Sequence, residues 1–272
     1  MSEQDAVINA PLPRTRQSLA NDLCVLGVEA GMTLIMHSSL KSLGWVCGGP
    51  VAVLQALMDV VTPSGTIVVP TQTSDYSDPA QWQHPPVPEN WWQIIYDTMP
   101  AFDARITPTR YMGFIAETFR TWPGVLRSNH PTDSFAAWGR HAEHIITGHT
   151  LDYGLGEGSP LARIYNLDGW VLLLGVGFGS NTSMHLAEYR ASGFKQIMQG
   201  APVLEDSQRV WKKYRDIEID SDIFPEIGAD FERTGQVHVA KVGSAETRLF
   251  RQRLVVDFTQ EWLTTRRSAR PI

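Results

Sequence analysis

His185 and Glu188 stand three residues apart in a stretch, about Thr182 to Ala191, that reads as a helix. On a helix this spacing puts both side chains on one face. A carboxylate so placed holds an imidazole in one tautomer and raises its basicity, which suits it to take a proton from an amine or hydroxyl. The same spacing also describes a surface ion pair, and spacing alone favours that plainer reading. A metal centre would need a third ligand. Neither H-E-x-x-H nor H-x-x-E-H occurs, so no metal is expected.

A second candidate is His37-Ser-Ser-Leu-Lys-Ser-Leu-Gly44, which leaves an apolar run at Thr33–Met36 and leads into a run at Pro50–Val61. Polar residues at the carboxyl end of a parallel strand line the usual ligand crevice of such sheets. Hydroxyls, free backbone N–H groups and a helix start together suit a phosphate. An ordinary strand-to-helix loop reads equally well, and no G-x-x-x-x-G-K-[ST] loop is present. Glycines 175, 177 and 179 resemble a dinucleotide turn, but the third motif glycine would fall at Ser180. A tight turn that packs a helix on a sheet is the better reading.

The elements that must carry these groups follow from periodicity. Thr15–Gly27 and Pro50–Val61 read as helices, Thr33–Met36 and Thr66–Val69 as strands, so this part is a βαβ unit of a parallel sheet. Tyr111–Trp122 and Gly139–Gly148 read as helices, and Asp133–Ala137 as a turn. Trp170–Val176 reads as a central strand; Gln236–Val242 and Arg253–Phe258 read as late strands. Gln81–Ala104, with Trp82, Trp91 and Trp92, reads as a long aromatic loop of functional or partner-facing kind. No repeat or linker appears, so residues 1–272 are expected to form a single α/β domain with this insert at 81–104.

Composition excludes more than it selects. The 272 residues carry 23 basic and 29 acidic side chains, a net charge of −6, which argues against nucleic acid as partner. Two cysteines, Cys24 and Cys47, make no disulfide framework. No apolar run reaches the length of a bilayer span, and the first residues lack the apolar core of a signal peptide. A cytoplasmic location with no membrane contact is expected.

Six strings, in this order, resemble the aminoglycoside 3-N-acetyltransferase family: MHSSLKSLGWVCGGP, TIVVPTQT, ITPTRYMGFIAETFR, RSNHPTDSFAAWG, GEGSPLARIY and LLLGVGFGSNTSMHLAEYR. They run from about residue 32 to about residue 190. The resemblance implies an α/β fold with a mixed sheet flanked by helices, and acetyl-CoA as co-substrate. It implies the 3-amino group of a 2-deoxystreptamine aminoglycoside as acceptor; the alternatives are another small amine, or a non-catalytic coenzyme- or glycoside-binding module. His185 matches the family's key histidine, Glu188 its partner, and His37 a second histidine near the thioester. Ser38, Ser39, Leu40, Lys41, Ser42 and Gly44 match the coenzyme loop; Thr107, Arg110 and Gly113 match further coenzyme contacts.

The chemistry implied is direct attack of the amine on the thioester, with His185 as general base. Backbone N–H groups of Ser38–Leu40 or the Thr71 hydroxyl are candidates to steady the oxyanion. A cationic acceptor calls for carboxylates, and Asp75 with Tyr76, then Asp152, Glu205 and Glu226, are the candidates. Arg105, Arg110 and Arg127 are expected to gather near the coenzyme phosphates. A monomer or homodimer is expected.

Overall fold

The computed structural model describes residues 7–8 and 12–268. Helix α1 (Arg16–Leu26) opens on Thr15, whose hydroxyl accepts from the Ser18 N–H while Ser18 caps the Thr15 N–H in return. Gly27 closes it in the left-handed region. Strand β1 (Thr33–Ser38), helix α2 (Gly49–Val61) and strand β2 (Thr66–Pro70) form the expected unit, with β1 and β2 parallel.

Strand β5 (Trp170–Leu174) runs parallel to β1 on its other side. The sheet is completed by β3 (Leu126–Arg127) and β4 (Phe135–Gly139) beyond β2, and by β8 (His238–Val242) and β9 (Ala245–Arg251) beyond β5. The order is β3-β4-β2-β1-β5-β9-β8, and every pair except β1–β2 and β1–β5 is antiparallel. This is the mixed α/β sheet expected.

The central strands are apolar on both faces because both are covered. Leu34, Met36, Ile67 and Leu172 point to the side of α1, α2 and α4 (Gly113–Arg120), against Leu23, Leu54 and Phe119. Ile35, Val68, Val171 and Leu173 point the other way, against α6 (Pro160–Asn166) and α7 (Ser183–Arg190). Helix α5 (Ala142–Ile146) falls inside the expected 139–148.

Three local expectations fail, and one element was not anticipated. Arg253–Phe258 lies inside helix α9 (Gln252–Ser268), where Val255, Val256, Thr259 and Leu263 are buried at helical spacing. Its β-branched run suggests a strand, but packing outweighs propensity there. Asp133–Ala137 is not a turn throughout, because Phe135 opens β4. The aromatic insert is not loop alone, since Glu89–Thr98 forms helix α3. A hairpin went unread in the stretch after Lys195. Strands β6 (Gln196–Glu205) and β7 (Gln208–Ile217) pair over their full lengths around Asp206 and Ser207, both at positive φ.

The insert packs on that hairpin. The Tyr96 and Trp211 rings meet edge-on at 4.8 Å, Arg209 donates to the Met99 carbonyl, and the Phe102 N–H donates to the Pro202 carbonyl. Helix α8 (Phe224–Glu232) then returns the chain to the main sheet.

Candidate active site

The carboxyl ends of β1, β2 and β5 open on one cavity of about 320 Å³. The glycine turn after β5 leads into α7, which is pinned by buried Met184, Leu186 and Ala187. That anchoring presents His185 to the cavity wall and leaves its side chain 12% exposed. His185 Nδ1 donates to Glu188 Oε2 at 2.5 Å. The second oxygen of Glu188 accepts the Asp220 N–H at 2.8 Å, so the carboxylate is held at both ends. The Phe224 ring, 4.8 Å from the imidazole, packs beside it. With Nδ1 committed as a donor, Nε2 is the lone-pair nitrogen, as a general base requires. The pair is a partly buried dyad on a cavity, not the surface ion pair that spacing alone favoured.

His37 lines the same cavity from the end of β1. Burial, with a smaller contribution from His185, pushes its imidazole down to about 3, so it is neutral in the working range. Its Nε2 is buried without a hydrogen-bond partner.

Ser38 also lines the cavity. The loop beyond it is tied down: the Ser39 N–H donates to the Leu174 carbonyl at 3.0 Å, and Ser42 Oγ donates to Ser39 Oγ at 2.9 Å. Gly175 allows this approach. Its φ is +71°, and a Cβ there would lie 2.7 Å from Ser42 Cβ and 2.9 Å from Ala245 Cβ. Leu40 packs against the core, Lys41 is exposed, and Gly44 turns away against Ser244. The Ser39 N–H is therefore taken by Leu174. The Thr71 hydroxyl is fully buried between Ser134 and Arg127 and does not face the cavity.

Tyr111, Met112 and Ala116 form the facing wall. The segment that carries them is hydrogen-bonded to the loop after β2, through the Arg110 N–H to the Gln72 carbonyl at 2.8 Å. Thr107 is buried, and its Oγ1 accepts the Asp103 N–H, so its role is to shape this segment. Gly113, at φ +81°, turns the chain into α4.

The three arginines do not gather at this cavity: Arg105 and Arg127 line another one together with Arg120, and Arg110 is not part of it. Arg105 is exposed and paired with Asp103, while Arg110 stands over the Tyr111 ring. Arg127 is held only by neutral acceptors: the carbonyls of Thr71, Ala104 and Thr107 and the hydroxyls of Thr71 and Ser134. Burial lowers its guanidinium to about 10, and it stays charged at neutral pH. It braces the Thr107 segment against the sheet.

A second cavity, of about 420 Å³, shares Gln72 with the first. Asp133, Asp216, Glu218, Tyr189, Gln199 and Trp82 line it, so the insert, the hairpin and α7 all contribute. Asp216 is 7% exposed and accepts from the Tyr189 hydroxyl at 2.5 Å. Burial pushes Asp216 up to about 6, opposed by that hydrogen bond.

These carboxylates were not among the sequence candidates, and several candidates lie elsewhere. Asp152 is bound by Arg215, Glu205 pairs with Lys212 at the hairpin end, and Glu226 pairs with Arg266. Each already has a cation, and none lines either cavity. Asp75 is exposed on the loop after β2, between cavity-lining Ser74 and Ser77, and Tyr76 packs edge-on against Phe102.

The sequence profile described as aminoglycoside 3-N-acetyltransferase matches residues 35–264, and the chain belongs to that family. It is an α/β acetyltransferase fold with a dyad at the ends of its parallel strands. The chain is similar to the SPbeta prophage-derived aminoglycoside N(3')-acetyltransferase-like protein YokD of Bacillus subtilis, at 51% identity over 94% of each chain. The YokD crystal structure matches with a TM-score of 0.97, covering 98% of this chain and 100% of that one. Two solved structures share 30% identity with it. AAC-IIIb in binary complex with CoASH has a TM-score of 0.84 and covers 94% of this chain and 98% of its own. AAC-VIa bound to sisomicin has a TM-score of 0.85 and covers 94% and 99%. No helix among the described residues is long and apolar enough to cross a membrane.

Proposed function

We propose that the protein transfers the acetyl group of acetyl-CoA to the 3-amino group of a 2-deoxystreptamine aminoglycoside, with His185 as general base oriented by Glu188. The observation that carries this reading is the 2.5 Å His185–Glu188 contact on a cavity wall. That cavity has no acidic lining residue, and it adjoins a second cavity lined by Asp133, Asp216 and Glu218, of which Glu218 is already paired with Lys195. An anionic donor suits the first cavity and a polycation the second. The CoASH complex of AAC-IIIb and the sisomicin complex of AAC-VIa support the same pair of ligands.

The amine reaches the site largely as an ammonium ion and must first release one proton to the solvent to become a nucleophile. Its nitrogen lone pair then attacks the thioester carbon and forms the C–N bond. His185 Nε2 takes the next amine proton as the positive charge develops on nitrogen. Collapse of the tetrahedral adduct breaks the C–S bond, and the coenzyme leaves as a thiolate that takes up that proton. No acyl-enzyme is involved. Neutral His37 stays uncharged beside the imidazolium that forms at His185, which avoids a second positive charge in the same cavity. Positioning and one general base each supply several kcal/mol, which suits an activated thioester.

The test is coenzyme A release with acetyl-CoA and a panel of 2-deoxystreptamine aminoglycosides, with product identification by NMR. Acetylation at the 3-amino group is expected. Turnover with other small amines alone would replace the acceptor and keep the dyad's role.

A further inference from the structure

A third cavity, of about 850 Å³, shares no lining residue with the two already described. It lies where the loop before α4, the end of α4, strand β3 and helix α5 meet. The first three each bring an arginine to it, Arg105, Arg120 and Arg127, and one carboxylate, Glu143, lines it. The three cations are close together. Arg120 Nη1 donates to the Arg105 carbonyl at 3.2 Å, and burial and then the like charge of Arg120 lower the Arg127 guanidinium.

Their charges are unequally answered. Arg120 is paired with Glu117. Arg105 gives Nε and Nη2 to Asp103, which leaves its Nη1 without a partner among the described residues. Half-buried Arg127 has no carboxylate partner among them, and only carbonyls and hydroxyls meet its charge. A cation taken out of water and held by neutral dipoles alone gains from an anion that can reach it. Much of the remaining wall is apolar: Trp122, Val125, Leu126 and Ile146 line it, and Leu126 is 44% exposed.

We propose that this cavity binds an amphipathic organic anion, a singly charged oxyanion on a planar apolar body, with its head among the three guanidiniums and its body against Trp122 and Leu126. A guanidinium fork matches such a head, and the volume falls in the range of small-molecule sites. A polyanion is the poorer match, because Glu143 shares the wall and Arg105 and Arg120 each carry a carboxylate partner. Coenzyme A is therefore not the ligand, and the inference rests on neither the acetyl donor nor its acceptor.

The probe is 1-anilinonaphthalene-8-sulfonate, titrated by fluorescence into the full-length native protein with and without saturating CoA. Its uncharged analogue, N-phenyl-1-naphthylamine, is titrated alongside. Wild type should show one saturable site for the anion, with the same affinity in both conditions. R105E should weaken the anion at least about tenfold, the scale of one charge-assisted hydrogen bond, and leave the uncharged analogue within about twofold. L126D sets a carboxylate on the apolar wall and should weaken both. K213E reverses an exposed charge on β7, outside the cavity, and should change neither. Arg105 and Leu126 are both exposed, so thermal melts of their variants should match wild type. Absence of saturable binding, its loss on adding CoA, or equal weakening by K213E would each overturn the site. So would wild-type affinity in both R105E and L126D, or equal loss of both probes in R105E.

Discussion

His185 and Glu188 are joined at 2.5 Å, and the other oxygen of Glu188 is held by the Asp220 N–H, so the orientation of the imidazole is set from outside its own helix. H185A should lower kcat by about 10²- to 10⁴-fold, the range of a lost general base. E188Q should fall between wild type and H185A, since it keeps an oxygen for Asp220 and loses the charge that fixes the tautomer. Thiol release under saturating substrates measures both, and a thermal melt checks the fold. Wild-type kcat in H185A would remove the histidine from the mechanism.

Acceptor affinity should depend on pH through Asp216, which burial pushes up to about 6. Below that value the carboxyl is neutral and offers a polycation less. Affinity for a 2-deoxystreptamine aminoglycoside should therefore rise between about pH 5 and pH 7. D216N should weaken binding and remove that limb while H185A keeps it. Calorimetry without acetyl-CoA separates these from catalysis.

Stability should fall in mild acid. Burial lowers His130, and burial with His130 nearby pushes His149 well down; the two rings stack at 4.7 Å. His37 is held at about 3. All three protonate near 6.5 when unfolded and resist it when folded, so below about pH 6.5 the unfolded state binds more protons and stability drops. The limiting slope is about 1.4 kcal/mol per pH unit for each group. Asp216 acts in the opposite direction between its unfolded value and about 6, because its folded state binds the proton more tightly. Urea midpoints from pH 7.5 to 5.5 should decline in wild type and more steeply in D216N. A flat profile would contradict the buried neutral histidines.

Gly175→Ala should cost about 1–3 kcal/mol and disturb the loop that carries Ser42, since its Cβ meets Ser42 and Ala245 and its φ is positive. Gly177→Ala is the control: a Cβ there has nothing within 4 Å and should be near neutral. Denaturant unfolding and the KM for acetyl-CoA report the two effects separately.

The parts legible in sequence are those where chemistry and spacing are local. Leu34 to Leu57 shows a buried strand followed by a helix, and the parallel pairing of β1 and β2 follows from that connection. The three-residue step from His185 to Glu188 holds on any helix. The hairpin after Lys195 was obscured by charge, because its strands are largely solvated and lack the apolar alternation that marks a covered sheet. Its turn, Asp206-Ser207, takes positive φ at both residues without the glycine that usually marks such a turn. Arg253–Phe258 misled because β-branched residues suit either a strand or a well-packed helix.

By itself the sequence determined the type of sheet, the order of the family strings and the pairing of a histidine with a carboxylate, all set by residues close along the chain. Tertiary structure decided which charges line a cavity. Asp152, Glu205 and Glu226 are as acidic as Asp133 and Asp216, but the former carry arginine or lysine partners brought from distant segments. The latter line a cavity closed by the insert, the hairpin and α7. Arg105, Arg120 and Arg127 likewise come to one cavity, from three segments, only on folding. Burial, partner and exposure depend on contacts between segments far apart in the chain, and no local pattern encodes them.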